Sequence, residues 1–212
     1  MKIIRVFYEP YRVFAGLEQT GFELLVPLIA TAGFSLLAKV FLIVQVGSRT
    51  VVPSGIGVDP GGLTSQLVFY VLGTMALIVN LVLFSLLLYT VLRVVAGARG
   101  FRCVLSICAY AAYVREAGRF LVTAATILYA DMSPNRIKIV TNATVFLNEA
   151  SSGKPLYYFA SFVDLPTILF LSFITIGLWK VKALPSFAIR NSIIVVLLVW
   201  MTFVGLGYPW RH

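Results

Sequence analysis

The stretch from Tyr157 to Leu206 constrains this chain most. Two apolar runs, each near the length of a bilayer-crossing helix, meet at the basic turn WKVKALPS. A helix needs roughly 20 apolar residues to cross a hydrocarbon core of about 30 Å. A backbone in that medium must satisfy its own polar groups, which leaves helices as the natural solution for such runs. Upstream the pattern repeats, and 60% apolar residues with 12% charged and a mean hydropathy of +0.96 lie outside the range of soluble domains. The expected fold class is all-α: a polytopic membrane protein of five transmembrane helices, with a short N-terminal interfacial helix.

The net charge of +9 arises from 17 Lys and Arg against 8 Asp and Glu. These residues fall mostly between the apolar runs rather than in one solvated patch, so the basic balance points to membrane-flanking loops and not to nucleic acid. Cys103 and Cys108 are the only cysteines. At five residues apart on a helix they point roughly 140° away from each other, which suits packing and neither a disulfide framework nor a metal pair.

Residues 1–23 mix Ile3, Ile4, Val6, Phe7, Val13 and Phe14 with Lys2, Arg5 and Arg12, a pattern for a helix lying in the headgroup layer. Pro10 should bend or restart that helix. Nothing before Leu24 resembles the apolar centre of a signal peptide, so the first span is expected to direct insertion. Residues 24–212 form the transmembrane domain, with spans expected near 24–46, 67–95, 104–130, 156–178 and 187–206. Lys39 is the one charge of the first span and can either snorkel outward or face the bundle, with snorkelling the favoured expectation. The loop after it, rich in Gly, Pro and Ser, lacks the Lys-Ser/Thr pair that a phosphate cradle requires. Residues 131–154 are the longest polar segment, and an interfacial helix or short reentrant piece is expected there.

The third span is the unusual one. Arg115, Glu116 and Arg119 stand at its middle, where each charge costs about 2.5–3.5 kcal/mol on insertion scales. At 100° per residue they share one arc of roughly 100°, which must face other helices or water. Two readings stand: a solute- or proton-handling site, or a structural ion-pair cluster, including a helix broken near Gly118. Asp164 at the start of the fourth span is the sensible first partner for an arginine. The single histidine, His212, is the last residue, which excludes a Ser-His nucleophile, a His-metal centre or a bis-histidine haem inside the membrane. No catalytic residue, cofactor or metal site is expected.

Orientation follows from the loops. Lys2, Arg5, Arg12, Arg93, Arg99, Arg102, Lys180, Lys182 and Arg190 fall on one side, against Arg49, Arg136, Lys138, Lys154 and Arg211 on the other. The positive-inside rule puts the first set, and the N-terminus, in the cytoplasm and the C-terminus outside. Arg93, Arg99, Arg102, Lys180, Lys182 and Arg190 are the candidate contacts to anionic headgroups.

The run SFVDLPTILFLSFITIGLWKVKALPSFAIRNSIIVVLLVW resembles the end of bacterial Yip1-family membrane proteins. The matching positions are Asp164-Leu165, Ile168, Ile176-Gly177-Leu178, Ser186 and Trp200. Pro10 with Phe14, and GFRCVLSICAYA from Gly100 to Ala111, are similar to two further family motifs. A Trp usual in the opening of the fourth span is replaced near Leu169, and a Pro after the third-span Tyr-Ala gives way to the Arg115–Arg119 cluster. The resemblance implies five spans, a cytoplasmic N-terminus and a bacterial inner membrane. The GTPase-engaging role of eukaryotic members belongs to a long N-terminal region that this chain, with about 23 residues before its first span, does not match. The expected function is a non-enzymatic scaffold or accessory subunit organising other membrane proteins or lipid, with the bilayer, other membrane proteins or a second copy as partners. The alternative is a small-solute or ion transporter using Arg115, Glu116, Arg119 and Asp164.

Overall fold

The computed structural model describes residues 2–16, 24–46, 63–97, 100–132, 143, 154–181 and 189–206. Eight helices and no strand occur among them. The N-terminal pair is α1 (Lys2–Arg5) and α2 (Pro10–Gly16), followed by α3 (Leu25–Val46), α4 (Leu63–Ala96) and α5 (Phe101–Met132). The last three are α6 (Lys154–Ser161), α7 (Leu165–Lys180) and α8 (Ile189–Leu206).

The bundle is built on α5. Every residue from Cys103 to Val114 is buried, so this helix has no outward face over three turns. It packs against α3, α4 and α7, while α8 closes the far side against α4 and α7. Both cysteines lie in this buried stretch and are not joined in a disulfide. The pair α5 and α7 runs antiparallel, because Ile107 meets Gly177 at one end and Gly118 meets Pro166 at the other. A Cβ on Gly177 would collide with the Ile107 side chain, so a small residue there permits the close approach.

Local chemistry explains the ends. Gly97 and Gly100 have φ of 63° and 118°, the left-handed conformations that reverse the chain between α4 and α5. Pro10 opens α2, where a missing N–H is harmless. The N-terminal segment is part of the core as well as amphipathic: Val6, Val13 and Phe14 are buried, and α2 packs on α7. Phe14 sets its ring edge-on to Tyr110 at 6.4 Å, and Phe7 does the same to Tyr113 at 5.3 Å.

Two expectations are corrected. The fourth apolar run is two helices, not one over 156–178. Pro166 has no N–H and its ring crowds the carbonyl four residues back, so the helix stops at Ser161 and restarts at Leu165. Asp164 caps the restart by accepting from Thr167 N at 2.7 Å, and the carbonyl of Val163 accepts from Ala143 N at 2.9 Å. Lys39 does not snorkel outward: its ammonium donates to Thr74 Oγ1 at 3.0 Å and Tyr70 O at 3.3 Å, tying α3 to α4. A lone ammonium gains more from two fixed acceptors on a neighbouring helix than from a climb of about two turns. The long loop after α3 and the polar segment at 133–153 apart from Ala143 lie outside the described residues.

One outer face of α4 is apolar. Leu67, Leu72, Met75, Val79, Leu83 and Leu86 of α4 are all exposed, at spacings that make one long face. Even exposed hydroxyls turn inward on their own helix: Thr90 donates to Leu86 O and Thr202 to Leu198 O, each at 2.9 Å. These two hydroxyls thus turn no unmet donor toward an apolar surrounding. Among the described residues one stretch, Leu67–Ala96, is long and apolar enough to cross a membrane. Shorter apolar helices occupy Leu25–Val40, Leu165–Lys180 and Asn191–Leu206.

Candidate functional site

The polar centre is assembled from one turn of α5 and the break before α7. Helix α5 runs unbroken through Gly118, so Arg115, Glu116 and Arg119 stay on one arc at the middle of the bundle. Glu116 is 5% exposed, and its Oε1 receives both arginines. Arg115 donates from Nε at 3.0 Å and approaches again through Nη2 at 3.0 Å. Arg119 Nη1 lies 3.5 Å away.

Arg119 also reaches across to α7, with Nη2 at 3.7 Å from Asp164 Oδ2. Asp164 thus uses one oxygen to cap α7 and the other to face an arginine of α5. Burial makes such pairing necessary, since an uncompensated charge in a low-dielectric interior is far more costly than a paired one. The Arg115 guanidinium has a second support, lying over the Phe170 ring at 5.1 Å.

The arginines do more than pair. Both line a cavity of about 740 Å³ walled by α4, α5, α6, α7 and α8. Its walls are mostly Leu, Phe and Val, with Asn80, Tyr158 and Thr167 as polar points. Arg115 and Arg119 are the charged residues of this wall, while Glu116 and Asp164 lie outside it. A second cavity of about 440 Å³ lies between α7 and α8 and is nearly all apolar. Thr167 and Trp200 border both.

The structure therefore brings Arg115, Glu116, Arg119 and Asp164 together. The basic positions fall elsewhere. Arg93 and Arg102 are exposed at the end of α4 and the start of α5, and Lys180 closes α7 with its ammonium 3.6 Å from the Trp179 ring centroid. Because α7 is antiparallel to α5, all three belong to one end of the bundle. Arg99 and Lys182 lie outside the described residues, as does the side chain of Arg190. Sequence reasoning missed Phe170 as the ring beneath Arg115, and Asn80 and Tyr158 as lining the same cavity as the arginines. No local signal marks them, since an aromatic or amide within an apolar run has no partner written beside it. Lys39 did carry a signal, its isolation in an apolar run. No family model, curated protein or solved structure matches this chain.

Proposed function

We propose that this chain is a non-enzymatic, multi-pass membrane bundle of the Yip1 type that serves as a scaffold or accessory subunit for other membrane proteins or for lipid. In this reading α3, α4, α5, the α6–α7 pair and α8 supply five spans, with the N-terminus cytoplasmic and the C-terminus outside. The bacterial inner membrane is the proposed location. The observation that carries the reading is the continuous apolar exterior of α4, from Leu67 to Leu86, wrapped around an interior whose charges are tied to one another. Exposed apolar area on that scale marks contact with lipid or with another protein.

Recovery of the tagged protein at native expression in a gentle detergent, followed by mass spectrometry, tests it. A membrane-protein partner in stoichiometric amount is the expected result; a protein that emerges alone contradicts the scaffold role. A second reading, passage of a small solute or ion, is favoured by the cavity at Arg115 and Arg119. It predicts that neutralising the two arginines abolishes uptake while the protein still reaches the membrane.

A further inference from the structure

The geometry points to the cavity at Arg115 and Arg119 as a binding site for a single-chain anionic amphiphile: an anionic oxygen group held by the two guanidiniums, its chain lying along Leu77, Phe84 and Phe203. The proposal rests on the membrane reading above and adds a ligand class to it. Three observations carry it.

Charge is the first. The cavity wall holds two cations, whereas Glu116 and Asp164 sit behind it. Of the cluster's four charges, an occupant of the cavity meets only the two guanidiniums.

Donor capacity is the second. A guanidinium carries five N–H donors in a planar fork suited to carboxylate and phosphate oxygens. Arg115 directs Nε and Nη2 at the same oxygen of Glu116, and its Nη1 makes no ion pair or hydrogen bond among the described residues. The Arg119 contacts, at 3.5 and 3.7 Å, exceed hydrogen-bond length. Both forks have donors to give.

Shape is the third. At about 740 Å³ the cavity lies within the range of small-molecule sites, roughly 300–1,000 Å³, and beyond the arginines it offers mainly apolar wall. A small hydrated anion leaves that wall uncovered, and a neutral lipid leaves the guanidiniums unanswered. An anion with one chain meets both. The carboxylate of a fatty acid and the phosphate of a lysophospholipid share this chemistry.

The test is binding to the purified full-length protein in non-ionic detergent, by native mass spectrometry and by titration with oleate, oleoyl lysophosphatidylglycerol, methyl oleate, acetate and inorganic phosphate. Either acidic amphiphile should bind, with methyl oleate weaker by about tenfold or more. Oleate alone binding assigns a free fatty acid, and the lysophospholipid alone assigns a bilayer lipid. Arg115→Gln with Arg119→Gln should remove the difference between oleate and its ester. Ala76→Phe, which fills the wall and leaves every charge in place, should remove binding of both amphiphiles. Equal binding of oleate and methyl oleate, equal competition by acetate or phosphate, no amphiphile bound, or undiminished binding to Ala76→Phe would each overturn the proposal. Release of the protein from membranes by alkaline carbonate would instead overturn the membrane reading, independently of any binding result.

Discussion

At the residue scale, Glu116 is the position on which the polar centre turns. One of its oxygens faces two guanidiniums, so its removal takes the nearest counter-charge from Arg115, whose side chain is half-buried. Breaking a fully buried pair from one side costs about 3–5 kcal/mol and an exposed one about 0–1, and this pair falls between them. Glu116→Gln should therefore lower the thermal midpoint in detergent strongly, and Glu116→Gln with Arg115→Gln should lose less than the two singles together, by about 0.5–3 kcal/mol. Additive losses would show that the two side chains do not depend on each other. Asp164 separates into two roles by substitution. Asn retains the cap on α7 and loses the charge; Ala loses both. Asp164→Asn should cost about 0–1 kcal/mol, as expected for a long and partly exposed pair, and Asp164→Ala about 1 kcal/mol more. Equal losses from the two would deny the cap. The grouping of these charges was legible in the sequence, because spacing along one helix places Arg115, Glu116 and Arg119 on one arc. The pairing of Asp164 with an arginine was legible too, but not that Arg119 is the one it meets, which depends on where α7 begins.

At the element scale, α5 and α7 define the architecture through a contact between small and branched residues. Gly177 faces Ile107 so closely that an added methyl must move one helix. Gly177→Ala should destabilise by about 1–3 kcal/mol, as overpacking does, and Ile107→Ala in the same chain should relieve part of that loss. Thermal unfolding of the single and double variants reads this directly; a neutral Gly177→Ala would mean the helices stand further apart. The apolar runs were readable as helices because their length and composition leave little choice. The division of the fourth run was also written in the sequence, at Asp164 and Pro166, yet its overall apolarity argued for one continuous span. Local cap and breaker chemistry prevailed, since a proline inside a helix costs about 3 kcal/mol or more while a capped restart costs little. The burial of α5 on all sides could not be read, because no periodicity separates a helix surrounded by protein from one surrounded by lipid.

At the scale of the whole molecule, the bundle has α5 at its centre and its charges facing one another, and the proposed function has it cross the bilayer repeatedly. Among the described residues, α4 is the one helix both long and apolar enough to cross by itself. At 1.5 Å per residue, α4 with 34 residues and α5 with 32 extend about 50 Å, past the hydrocarbon core at their ends. Helix α7, with 16 residues, reaches only about 24 Å, so the α6–α7 break lies toward one side and delivers Asp164 to Arg119. Side-specific labelling of single cysteines in intact cells tests the claim most directly. Tyr8, Arg102, Lys154 and Leu206 are exposed, and Cys103 and Cys108 are buried and replaceable by Ser. With an impermeant thiol reagent, Lys154→Cys and Leu206→Cys should react from outside, and Tyr8→Cys and Arg102→Cys only after permeabilisation. Reaction of all four from the same side would contradict the repeated crossing, and with it the account built on α5.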